Sequence, residues 1–72
     1  MNIKNIKSGL GCYYWIKHTY SIDNKEFVEL NEILDISNDK VKCVGFFSVI
    51  VCNIPIDKII DMKKAINPFS EN

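Results

Sequence analysis

Cys12, His18, Cys43 and Cys52 are the residues of this chain best suited to chemistry. Together they make a Cys₃His set, a known zinc complement. Their spacing argues against that use. No C-x₂-C knuckle is present. In an extended strand Cys12 and His18 stand about 20 Å apart, at roughly 3.3 Å per residue, whereas tetrahedral zinc gathers its ligand atoms within a few Å. The cysteines are expected to be small buried thiols, and no metal or other cofactor is expected. Nucleophilic catalysis would pair Cys43 or Cys52 with His18 as base, held by a third group. No nucleophile elbow, phosphate-cradling glycine loop or metal motif accompanies that pair. Gly9 and Gly11 precede a strand and not a helix, so they build no anion site. A disulfide between Cys43 and Cys52 becomes possible if a hairpin turns at Phe47-Ser48, which sets the two directly opposite. An odd cysteine count and a reducing compartment argue against it. The carboxylates of Glu29, Glu32 and Asp35 form a solvated rim.

The composition narrows the function classes further. The chain has 72 residues, which predicts a single domain over 1–72, with a lead-in at 1–10 and a flexible tail at 67–72. Its nine lysines balance nine acidic residues, and there is no arginine. Nucleic-acid binders normally carry a basic patch, and bidentate readers of phosphate or guanine need arginine, so nucleic acid is not the expected partner. Lys4 and Lys7 precede no apolar core of a leader, and the run "VGFFSVIVC" is far short of a membrane span. A cytoplasmic protein with reduced thiols is expected. Usage skewed to Ile, Asn and Lys, with a single Ala and no Gln, points to an AT-rich genome such as that of a low-GC bacterium, its phage or a mobile element.

The elements that would position these residues are mostly strands. "SGLG" predicts a turn. Residues 12–22, rich in aromatic and β-branched side chains, predict a strand, and Asp23, Asn24 and Lys25 a hairpin loop. Residues 26–37 admit a helix, with Asp23 and Glu26 spaced as a capping box and a stripe of Phe27, Leu30, Ile33 and Leu34. The preferred reading is a strand with Val28, Leu30, Leu34 and Ile36 on one face. "EILDISNDKVKCV" predicts a hairpin turning at Asn38-Asp39. Its register sets Ile36 opposite Val41, Asp35 opposite Lys42, Leu34 opposite Cys43 and Ile33 opposite Val44. After Gly45, "FFSVIVCNI" predicts a buried strand. The segment 55–66 admits a helix started by Pro55, carrying Ile56, Ile59, Ile60 and Ile66, or a single 3₁₀ turn at 55–58 leading into a short last strand.

The strand–turn–strand series followed by "NIPIDKIIDM" resembles the SH3-like and Sm-like small β-barrels over residues 26–63. The resemblance implies a mainly β chain, a small barrel of about five antiparallel strands. The alternative is an α+β fold with a C-terminal helix over a small sheet. Sm-like RNA binders carry a basic or glycine-marked RNA loop that has no counterpart here, so the resemblance brings a fold and no RNA function.

Period-2 alternation divides the aromatic segment. Cys12, Tyr14, Ile16, His18, Tyr20 and Ile22 share the face assigned to the core. Tyr13, Trp15, Lys17, Thr19 and Ser21 share the other. A three-residue loop at 23–25 would set Tyr20 opposite Val28, Tyr14 opposite Leu34 and Trp15 opposite Ile33. Trp15, Ile33 and Val44 would then form an apolar row away from the core, rimmed by Tyr13, Asp35 and Lys42. Such a row is covered either by another part of the chain or by a partner. The expected function is a small non-enzymatic protein-binding module, homo-oligomeric, acting as a phage or mobile-element accessory protein that blocks a host protein. One alternative is an oligomer sequestering a small ligand or nucleotide between subunits. Another is a minimal Cys/His enzyme.

Overall fold

The computed structural model describes residues 5–19 and 23–65. Five antiparallel strands form one sheet: β1 (Tyr13–Thr19), β2 (Glu26–Ile36), β3 (Lys40–Gly45), β4 (Val51–Pro55) and β5 (Ile59–Lys64), in the order β4-β3-β2-β1-β5. The expected mainly β architecture is present. The expected closure is not: β4 and β5 are the two edges of the sheet and share no ladder. The helix considered for 55–66 is absent as well. A 3₁₀ turn at Ile56–Lys58 leads straight into β5. Extended backbone serves this segment better, because it buries Ile59 and Met62 against His18 and Ile16 while Asp61 and Lys63 face outward. Ile3, Tyr20, Ile22, Ile66 and the 67–72 tail lie outside the described residues.

The short link between β4 and β5 bends the sheet. Four inter-strand gaps of about 4.8 Å separate the two edges by roughly 19 Å in a flat sheet. A 3₁₀ turn advances about 2 Å per residue, so three residues cannot bridge that span. The sheet therefore curls until its edges approach at this end. The turn is tied down by Ile56 N–H donating to Asp39 O at 2.9 Å. Two β-bulges assist, since an extra residue bends and twists its strand. One is at Leu34, between the pairs Ile33–Cys43 and Asp35–Lys42. The other is at Ile60, between Lys17–Asp61 and His18–Ile59.

Curling gives a concave inner face and a convex outer one. Tyr14, Ile16, Ile33, Val41, Cys43, Ile54, Ile59 and Met62 build the core on the inner side. Ile6, Ile36 and Ile56 pack against it. The lead-in docks by backbone bonds: Gly9 N–H donates to Ile33 O and Ile33 N–H to Cys12 O, each at 2.8 Å. Gly9 (φ 120°) and Gly11 (φ 81°) make that turn in backbone conformations that side-chain-bearing residues rarely adopt.

Half of the expected register is found. Ile36 pairs with Val41 and Asp35 with Lys42, as the Asn38-Asp39 turn requires. Beyond the Leu34 bulge the pairing shifts by one: Cys43 meets Ile33 and not Leu34, and Val44 meets Glu32 and not Ile33. The β1–β2 pairing differs by more. Thr19 pairs with Glu26 and not with Glu29, as the register of a three-residue loop at 23–25 would require. Asn24 there takes φ 55°, and Lys25 N–H donates to Asp23 Oδ1 at 3.1 Å. Tyr14 consequently faces Asn31 and Trp15 faces Leu30.

Candidate functional site

The strands present two faces with different chemistry. On the outer face Trp15 sits between Lys63 of β5 and Leu30 of β2. Phe46 continues that row, its N–H donating to Leu30 O at 2.8 Å. Val28 lies beside Trp15, and Val44 and Val51 occupy the next row beyond Tyr13 and Glu32. The Phe46 ring stands edge-on to Tyr13 at 5.7 Å and to Phe47 at 4.9 Å. Trp15, Val28, Leu30, Phe46 and Phe47 line a shallow groove of about 380 Å³. Trp15 is 48% exposed, Val28 60% and Phe47 97%.

The expected Trp15–Ile33–Val44 row is therefore not formed. Ile33 is a core residue with no exposed surface, because it lies on the inner face just before the Leu34 bulge. Trp15 and Val44 do face outward, in different rows, and Leu30 takes the place assigned to Ile33 beside the tryptophan. Tyr13 borders the apolar surface as expected. Asp35 and Lys42 form their cross-strand pair farther along, around a separate polar hollow with Ser37, Lys40 and Asn53. Val28, Leu30, Phe46 and Phe47 join the outer surface without having been expected there. The FF pair next to Gly45 is the available signal; it lies in the loop between β3 and β4 and not in the buried strand expected from "FFSVIVCNI".

The inner face is unexpectedly polar at one end. His18 and Asn31 are buried, and both meet Glu29. His18 Nε2 lies 3.0 Å from Glu29 Oε1, a contact that needs the proton on Nε2 because a carboxylate only accepts. Asn31 Nδ2 donates to the Glu29 backbone carbonyl at 3.3 Å. Because the sheet curls, these β1 and β2 residues share a cavity of about 380 Å³ with Cys52, Asn53 and Ile54 of β4 and with Lys58 of the 3₁₀ turn.

Cys43 and Cys52 stand directly opposite each other, the arrangement expected from a hairpin turning near Phe47-Ser48, and both are free thiols. Burial pushes the Cys43 thiol up to about 11 from 9.0, with smaller contributions from neighbouring Cys52 and Glu29. Burial thus favours the protonated Cys43 thiol at neutral pH. Because the folded value is the raised one, its contribution is complete below pH 9 and is lost as pH rises through about 11. Two pH units correspond to on the order of 2–3 kcal/mol. Urea unfolding under reducing conditions at pH 8 and pH 10.5 should show that loss in the wild type and a smaller one in Cys43→Ala. Equal losses in the two proteins would dismiss the assignment.

Among the described residues no cluster of three His, Cys, Asp or Glu is placed to hold a metal ion, and no helix is long and apolar enough to cross a membrane. Comparison with protein-family models, curated proteins and solved structures finds no match for this chain.

Proposed function

We propose that this chain is a non-enzymatic protein-binding module, working as a phage or mobile-element accessory protein that occupies a surface of a host protein. Its contact surface is the convex face around Trp15. The observation that carries this reading is the apolar groove of Trp15, Val28, Leu30, Phe46 and Phe47, which no described segment covers. Exposed apolar patches rimmed by polar groups mark interaction sites. Here the rim holds both signs of charge, with Lys17 and Glu26 paired at 3.4 Å and Lys63 beside Trp15. The aromatic content also suits an interface, since tryptophan and tyrosine dominate binding hot spots. In the free protein a second copy is the available occupant, which makes self-association part of the proposal. Kinship with the SH3-like and Sm-like barrels is part of it too. It is supported by the run of five consecutive antiparallel strands and the 3₁₀ turn before the last.

The test is Trp15→Ala, followed by light scattering for mass and by capture from a lysate of the native host. The expected variant is folded, monomeric and without a captured partner. A variant that stays associated and still captures its partner would remove the convex face from consideration.

A further inference from the structure

The concave face carries a feature that protein contact on the convex face does not use. A small domain gains from every apolar side chain it buries, and a buried polar one must be compensated by hydrogen bonds. Yet His18 (5% exposed) and Asn31 (4% exposed) occupy inward positions of β1 and β2 that could have held aliphatic residues. Both open onto one cavity, whose far side carries apolar Ile54 and Pro55 with Lys58 beside them.

We propose that this cavity is a binding site for a nucleoside monophosphate. Its volume of about 380 Å³ lies within the range of small-molecule pockets, toward the lower end, where one mononucleotide fits and a dinucleotide does not. The wall of Asn31 and Glu29 offers a side-chain amide and a carboxylate. That mixture matches the edge of a nucleobase, which presents N–H groups and lone pairs side by side. Glu29 is held by His18 through one carboxylate oxygen, and its side chain remains 46% exposed. It is thus oriented and still able to accept from the ligand. Ile54 and Pro55 form an apolar surface for the flat of the ring, and Lys58 stands at the cavity as the cation for a phosphate. Lys58 and Ile54 come from the 3₁₀ turn and β4, while Asn31 and Glu29 come from β2 and His18 from β1. A ligand would therefore bridge the two sides of the curl.

The test is calorimetric titration of the wild type with AMP, GMP, CMP and UMP, with inorganic phosphate, adenosine and a short single-stranded RNA as comparison probes. At least one monophosphate should bind with a Kd below about 1 mM. Lys58→Ala and Glu29→Gln alter half-buried and exposed positions respectively, so both variants should fold. Each should weaken binding by about tenfold, the loss of one good polar contact. Cys52, exposed and at the cavity wall, supplies an independent readout: bound nucleotide should slow its alkylation, followed by peptide mass spectrometry, and leave Cys12 unaffected. Binding of no monophosphate would overturn the proposal. So would phosphate binding as tightly as the nucleotides, which marks a simple anion site, or RNA binding more tightly than any monomer, which marks a strand-binding surface. These outcomes are separate from the Trp15→Ala result, which concerns the opposite face.

Discussion

Replacing Ile33 by alanine should unfold a large share of the protein, and it should do so although the apolar alternation of Val28, Leu30, Leu34 and Ile36 would put this residue in water. Ile33 has no exposed surface, pairs with Cys43, and accepts and donates the two backbone bonds that dock the lead-in. Truncating a fully buried isoleucine typically costs about 2–5 kcal/mol, part transfer and part cavity. Natural stability runs at roughly 0.05–0.15 kcal/mol per residue, which for a chain of 72 residues gives about 4–11 kcal/mol in total. The substitution therefore removes between about a fifth and all of what is available. Urea denaturation should show the midpoint falling sharply. Leu10→Ala, at a position 95% exposed, should stay within about 0.5 kcal/mol of wild type. A loss below about 1 kcal/mol for Ile33→Ala would mean that Ile33 faces outward and that β2 has no bulge before Asp35.

That experiment probes the place where the sequence was hardest to read. The turn at Asn38-Asp39 was legible because its residues are turn formers and because Asp35 against Lys42 and Ile36 against Val41 match on opposite faces. The Cys43–Cys52 pairing was legible for a similar reason, as soon as the hairpin was centred near Phe47-Ser48. The inward set of β1 was legible from alternation alone: Tyr14, Ile16 and His18 are buried, and Trp15 is not. A bulge has no such signature. Leu34 looks like any other strand residue, and nothing local says that it is the extra one.

A second cause lies in what the strand is asked to carry. Along β2 the polar residues Glu29 and Asn31 point into the concave side, while Val28 and Leu30 point out. Alternation arguments assume that the apolar set faces the core. In β2 that assumption assigns Val28 and Leu30 to the interior and so selects the wrong β1–β2 register. The inversion has a physical meaning. A strand can afford polar residues inward only where they satisfy one another, as His18, Glu29 and Asn31 do. It can afford apolar residues outward where something covers them. Residues at which local reasoning fails are often the ones that serve binding, and here they mark both faces.

Trp15→Ala and Phe47→Ala should each weaken association through the convex face by about 30-fold or more, while leaving the fold intact. The two rings line the same groove, Trp15 on β1 and Phe47 on the β3–β4 loop, with Phe46 in edge contact with Phe47. Truncating an aromatic anchor at an interface costs about 2 kcal/mol or more, and each 1.4 kcal/mol is tenfold. Stability should change far less. Phe47 is 97% exposed and so contributes little to the core, and Trp15 is 48% exposed and contributes part of one face. Because the residues share a groove, the double variant should lose less than the sum of the single losses. Ile60→Ala is the informative comparison, since Ile60 is 44% exposed but belongs to the edge strand β5 and lies outside the groove. It should leave association unchanged. If Ile60→Ala separates the subunits and Trp15→Ala does not, association runs through the sheet edge, where unpaired backbone groups invite a neighbouring strand. Only the reverse outcome, with circular dichroism unchanged in every variant, assigns the contact to the tryptophan groove.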